Sequence, residues 1–538
     1  MVESKKYRLF YWLIFICAIF TLFVNNHTLG FWDQDESAYA GFAYNFLQTG
    51  NWLIPDFLWS DVHRKPPMHF WNITLSFKLF GANEFATRVP SALAIIGTIL
   101  LVRFMSVPLF GERVSKKAML ILSTSLLLIA LAKISVTDST LLFFETLAVL
   151  SLFNFLKSKR KIYLLFFFLG IAGGALTKGP PVLIITYGIL GILFLFRAYR
   201  IQTIYLFLIS LLGLAPLFLW GKAVWDFDGG AFITWMIDWY ILKRGEGVFG
   251  QTGPPGYFLI VFLVGLFAFS SFFLVGVKQH LVSFFVKRER NENSIFLVAW
   301  LMAGWFVYEL INSKLPAYAI GAFPAISLIV ADQIEYYRTR LSSNLRWYAV
   351  TAIIQLVITL AIGGAFIFIA FYFLEGLAQI ASLLAGILTV GLGIYLYKKK
   401  EKDFLLLSFS ALIPSLLAWT FIVGSMEEDR CTTKTVAHVV ADNYQTSTQL
   451  VFTKDFSLPS LPFYLAVRGF TYVENQDFST YPSHLTNGDV LIFDQEGLNL
   501  FREQHHEFLD HQLTLHQIDG WIPDRGKRIS YFVVSGAY

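Results

Sequence analysis

About thirteen continuous apolar stretches run through this chain, near residues 9–29, 89–108, 118–134, 139–156, 162–177, 180–196, 201–221, 257–277, 295–312, 316–334, 347–374, 378–397 and 404–424. A helix of roughly 20 apolar residues is as long as the hydrocarbon core of a bilayer is thick. Backbone groups in hydrocarbon find no water, so a spanning segment must satisfy them as a helix or in a closed barrel. These runs are continuous rather than alternating, which favours helices over barrel strands. Only 15% of the 538 residues are charged and 56% are hydrophobic, with a mean hydropathy of +0.58. A soluble domain carries about 25% charged residues. The expected class is therefore a polytopic α-helical membrane protein.

The basic residues give an orientation. With the N-terminus in the cytoplasm and the spans alternating, the inner connections are 111–117, 157–161, 197–200, 278–290, 338–346 and 398–402. Each is rich in Lys or Arg, as the positive-inside rule requires. The opposite orientation would place every one of these clusters on the wrong side. The pI near 8.9 thus reflects short loops and gives no argument for nucleic acid. Lys5, Lys6 and Arg8 precede the first apolar run, and no small-residue cleavage site stands before Asn25, so an uncleaved anchor is expected. Cys17 and Cys431 are far apart and imply no disulfide framework.

Three segments then face outside. The loop from Gly30 to Arg88 holds Asp33, Asp35, Glu36, the run His63-Arg64-Lys65 and many aromatics. The loop 222–256 is rich in Trp and Tyr, which suits an interfacial helix. Residues 425–538 change character, with short β-like runs at 449–455, 469–475, 489–495, 513–519 and 528–536 and a helical stretch at 496–509. That alternation implies a small α/β domain outside the membrane. The expected division is a membrane domain over 1–424 and this C-terminal domain over 425–538. No internal repeat is evident.

Ionisable residues gather at the outer ends of the spans: Asp35, Glu36, Lys65, Asp138, Lys178, Arg244 and Lys314, with Tyr318 nearby. Charges at bilayer depth are costly and tend to be paired or functional. A carboxylate serves as general base for an acceptor, while Lys, Arg and Tyr hold a phosphate and stabilise it as it leaves. Blander roles also fit each residue. Asp138 suits a helix cap, Lys178 and Lys314 suit snorkelling helix ends, Arg244 suits a solvated loop, and His63 suits a structural role.

The pieces DQDESAYA (33–40), GNWLIPDF (50–57), HRKPPMHFW (63–71), LFGANEFATRVPSAL (79–93), TDSTLLFFETL (137–147), GGALTKGPP (173–181) and SKLPAYAIGAFP (313–324) match a family pattern in order and spacing. Across roughly residues 8–330 the chain resembles GT-C glycosyltransferases of the protein O-mannosyltransferase and lipid A aminoarabinose transferase superfamily. The resemblance implies transfer of a sugar from a polyprenyl-phosphate donor, at the periplasmic face of the bacterial inner membrane, to a lipid, glycan or protein acceptor. It implies catalysis by Asp35 beside Glu36, with Asp138 in support. It implies donor-phosphate binding by Lys65 and Tyr318 and by Arg244, with Lys243 the alternative; the placement of Lys178 and Lys314 at the outer span ends adds them in support. Two departures stand out. Arg64 occupies the place of a family Glu, and 222–256 holds no histidine. Neither a metal nor a cofactor is expected, and Arg64 adds positive charge for phosphate. The rival readings are a flippase for lipid-linked sugars, which predicts charges within spans and inverted repeats, and a non-catalytic scaffold.

Overall fold

The computed structural model describes residues 5–32, 34–242, 252–339, 345–400, 404–423, 432–452, 458–475, 477–505, 513–522 and 527–536. It divides into two compact units. The first comprises Met1–Val24, Lys65–His69 and Arg88–Ile422, and the second Asn25–Arg64, Phe70–Thr87 and Val423–Tyr538.

The first unit is helical. Among the described residues, six helices are long and apolar enough to cross a bilayer: Glu84–Phe110, Thr137–Ser158, Arg200–Asp228, Tyr257–Phe285, Ala352–Phe373 and Gly376–Lys399. A seventh span results if Glu112–Ser123 and Leu126–Ala132, bent by 58°, count as one. The bend falls on the run Ser123-Thr124-Ser125. The hydroxyls of Ser123 and Thr124 both return to the Leu120 carbonyl, and that of Ser125 donates to the Gly265 carbonyl at 2.9 Å. Such side chains compete with the helix ladder and kink it. Shorter apolar helices occupy Leu9–Phe23, Ile162–Lys178, Pro180–Phe194 and Leu405–Thr420. Helices Glu292–Glu309 and Phe323–Thr339 cover the remaining two apolar runs. Phe153 stacks on Phe296 at 4.5 Å, and Trp300 meets Phe153 edge-on in the interior.

The second unit joins two early segments to the tail. Its sheet has five strands, β1 (Gln449–Phe452), β2 (Thr471–Glu474), β3 (Val490–Asp494), β4 (Leu513–Ile522) and β5 (Lys527–Gly536), in the order β2-β1-β3-β5-β4. β1 runs parallel to β2 and β3, whereas β5 is antiparallel to β3 and β4. The buried runs Leu450-Val451-Phe452 and Val490-Leu491-Ile492-Phe493 mark β1 and β3 as the covered centre. Asp494 caps helix Gln495–Gln504 by accepting from the Gly497 amide at 2.8 Å.

The early segments belong to the same core. Phe31 packs on Phe463 and Tyr464 at 5.0 and 5.4 Å, and its amide donates to the Tyr464 hydroxyl at 3.0 Å. That hydroxyl donates to Glu84 at 3.3 Å, and Glu84 pairs with Lys434 at 2.8 Å. Replacing Tyr464 by Phe strips the buried Phe31 amide of its acceptor. A loss of about 1–3 kcal/mol is expected for a buried group left unpaired. Thermal unfolding of the purified variant should show a lower midpoint; an unchanged midpoint would dissociate this hydrogen bond from the stability of the unit.

Candidate active site

The second unit carries the first-loop carboxylates. Helix Asp35–Thr49 begins after Gln34, whose φ of 72° lies in the left-handed region. Asp35 and Glu36 occupy its first turn, where the positive end of the helix dipole favours carboxylates. Glu36 is buried and reaches back to accept from the Trp32 amide at 2.8 Å. It therefore fixes the entry to the helix. Asp35 is the more accessible of the two, with 48% of its side chain exposed. Its Oδ1 lies 2.8 Å from Nδ1 of His63, which closes the short helix Asp61–His63. An ionised carboxylate only accepts, so the proton of this contact sits on His63 Nδ1. Arg64 follows. Its Nη2 pairs with Asp56 and, at 2.7 Å, with Asp61.

The first unit carries the remaining described candidates. Lys65 is buried just before Pro66-Pro67. His69 is fully buried, its Nδ1 2.9 Å from Thr140 Oγ1 and its Nε2 3.1 Å from Ser135 Oγ. Burial first, and the Lys65 ammonium second, push its pKa down to about 3, so the ring is neutral at working pH. Asp138, in the first turn of Thr137–Ser158, pairs with Lys178 Nζ at 2.8 Å. Both side chains are largely buried. The same ammonium lies 5.5 Å from the centre of the Tyr318 ring. Glu145 is buried farther along the helix, and a Cβ built on Gly321 would approach its Oε2 to 2.5 Å. A larger residue at 321 would displace the end of this side chain. Lys133 donates to the Val24 carbonyl at 2.5 Å and lies 4.9 Å from the Trp419 ring.

Lys314 is differently occupied. Its Nζ donates to Glu309 Oε2 at 2.8 Å, to the Glu309 carbonyl at 3.1 Å and to the Pro254 carbonyl at 3.3 Å. Glu309 in turn accepts from Trp305 Nε1 and from the amides of Gly256 and Phe258. All three ammonium donors are used, and the pair ties the turn at 254–258 to the end of helix Glu292–Glu309. Arg244 and its alternative Lys243 lie outside the described residues.

Sequence reasoning read His63 as structural and had not singled out the buried His69, Lys133 or Glu145. Glu145 carried the clearest hint, a carboxylate inside an apolar run. The partner of Asp35 carried none, because 28 residues separate it from His63.

The family described as dolichyl-phosphate-mannose-protein mannosyltransferase matches residues 64–220. An undecaprenyl phosphate-alpha-4-amino-4-deoxy-L-arabinose arabinosyl transferase of Pectobacterium atrosepticum is 26% identical over 60% of this chain and 58% of its own length. An uncharacterised Aquifex aeolicus protein is 25% identical over 67% of this chain and 71% of its own. Among solved structures, ArnT from Cupriavidus metallidurans bound to undecaprenyl phosphate superposes with a TM-score of 0.74 at 14% identity, covering 100% of both chains. At 14% identity, the likeness to ArnT shows a shared fold. This chain is mostly helical, with six or seven helices among the described residues long and apolar enough to cross a bilayer. The archaeal oligosaccharyltransferase AglB from Archaeoglobus fulgidus, in complex with an inhibitory peptide and a dolichol-phosphate, is more distant, with a TM-score of 0.52 over 91% of this chain and 70% of its own. The chain spans about three fifths of the Pectobacterium arabinosyl transferase.

The Asp138–Lys178 pair gives a direct test of these surroundings. Lys178→Met leaves a buried carboxylate without its cation, which costs about 3–5 kcal/mol. The double variant Asp138→Asn/Lys178→Met should recover much of that loss. Thermal unfolding in detergent distinguishes this from additive losses, which would show that the two groups do not depend on each other.

Proposed function

We propose that this protein moves a sugar from a polyprenyl-phosphate donor to a hydroxyl of a lipid, glycan or protein acceptor, with inversion at the sugar's C1. The observation that carries the reading is the Asp35–His63 pair. It is a half-exposed carboxylate at a helix N-terminus, steadied on one oxygen by an imidazole N–H at 2.8 Å. A carboxylate so held is suited to take a proton without turning away. As the acceptor oxygen bonds to C1, its proton passes to Asp35. The bond from C1 to the phosphate oxygen breaks, and the polyprenyl phosphate leaves with the electron pair.

The remaining roles follow the surroundings of each side chain. Lys65 binds the donor phosphate, joined by Arg244 and by the Tyr318 hydroxyl. Asp138 and Lys178 act as a pair, Asp138 holding the ammonium against the Tyr318 ring. Glu36 positions Asp35 by fixing the helix start. Arg64 and Lys314 also position rather than bind phosphate, since carboxylates already occupy them. The proposed setting is the periplasmic face of the bacterial inner membrane. Thirteen spans start from a cytoplasmic N-terminus across 1–424, and the α/β domain over 425–538 lies outside. The GT-C fold and the match to an arabinosyl transferase support this setting.

Asp35→Asn keeps the shape of the side chain and removes the base. Its kcat for transfer should fall by about a hundredfold or more, whereas Lys65→Met should chiefly raise the donor KM. Steady-state assays with a polyprenyl-phosphate-linked sugar check both. Wild-type kcat in Asp35→Asn would remove the base from this account.

A further inference from the structure

Nine basic residues crowd one end of the helical unit, where three connections between helices come together. Four stand in 157–161, between helices Thr137–Ser158 and Ile162–Lys178. Two stand in 197–200, at the start of helix Arg200–Gly213, and three in 287–290, after helix Ser270–Phe285. The second and third connections touch. The Arg290 guanidinium lies 5.1 Å from the centre of the Phe196 ring, Phe196 meets Phe284 edge-on at 5.5 Å, and the Tyr199 hydroxyl donates to Glu292 at 3.1 Å. Phe155 ties in the first, its ring 6.1 Å from that of Tyr205. The acids of these stretches are Glu289 and Glu292, and Glu292 already accepts from Tyr199. The end is therefore strongly positive and attracts anions.

Three of the nine serve helix ends. Lys157, Arg200 and Arg290 donate to the carbonyls of Leu109, Phe194 and Phe284. The other six are exposed, and among the described residues none of them pairs with a carboxylate. Other cations of the same unit are paired, as Arg103 is with Glu112 and Lys117 with Glu335. Large apolar side chains are interleaved with the unpaired charges. Leu195 is 73% exposed and Phe285 65%. Water is a poor neighbour for such side chains and acyl chains are a good one. A loop that only met water would use the cations but not Leu195 or Phe285. Both together suit a lipid with an anionic headgroup. Its phosphate accepts charge-assisted hydrogen bonds from Arg and Lys, while its chains cover the apolar residues.

We infer that this end of the helical unit binds an anionic phospholipid of the surrounding leaflet by its headgroup. The orientation proposed above makes that leaflet the cytoplasmic one; the headgroup chemistry does not depend on it. The test titrates the full-length protein in nonionic detergent with three probes: a short-chain phosphatidylglycerol, the phosphatidylcholine of the same chain length and inorganic phosphate. Phosphatidylglycerol should bind about tenfold or more tightly than phosphatidylcholine, and phosphate should bind weakest. Arg160, Arg197 and Arg288 are exposed, so Arg160→Gln/Arg197→Gln/Arg288→Gln should fold normally. Its affinity for phosphatidylglycerol should fall about tenfold or more, while that for phosphatidylcholine stays the same. Should the triple variant unfold, salt gives a second reading on the wild-type protein. At about 1 M the screening length shrinks to about 3 Å, which should weaken the binding of phosphatidylglycerol and leave that of phosphatidylcholine unchanged. Equal affinities for the two lipids, or phosphate bound as tightly as phosphatidylglycerol, would overturn the inference. So would an unchanged affinity in the folded triple variant, or phosphatidylglycerol binding that salt does not weaken.

Discussion

Hydrocarbon supplies neither water nor counterions, and several charges near the helix ends of the first unit are matched by opposite charges nearby. Lys178 meets Asp138, Lys314 meets Glu309, Arg103 meets Glu112, and Lys117 meets Glu335. Each pair secures one helix end against another segment. An unpaired ion at such depth would cost more than a marginally stable fold can bear. The same requirement confines chemistry to helix ends, where a charge is held by its partner and still meets a polar substrate.

This constraint explains why much of the architecture was legible in the residues. Each of the thirteen apolar runs carries helix, because no other backbone arrangement satisfies an isolated apolar segment. The β-like runs near 449, 469, 489, 513 and 528 fall on β1 to β5, since apolar alternation and turn residues act locally. Of the helix expected at 496–509, Gln495–Gln504 is observed, started by the Asp494 cap, while 506–509 lie outside the described residues. What local chemistry could not reveal is pairing over distance. Phe31 and Tyr464 are 433 residues apart, yet one hydrogen bond and one stacked pair join the early segment to the tail. The Asp35–His63 contact and the closed cage around Lys314 are of the same kind. Arg64, read as added positive charge where the family has Glu, is paired in the fold with two aspartates whose contact no local signal revealed.

The second unit consequently does more than terminate the chain. It contains the proposed base. A helix start fixed by Glu36 and a histidine clamp on Asp35 hold the base. The phosphate-binding candidates Lys65 and Tyr318 belong to the helical unit.

The central claim is that a sugar leaves a polyprenyl phosphate through this protein. Mass spectrometry of envelope lipids and glycans, from cells with and without the protein, addresses it most directly. The account predicts that one sugar-bearing product disappears in its absence while the polyprenyl-phosphate-linked sugar accumulates. Identical profiles for both species in the two samples would contradict it.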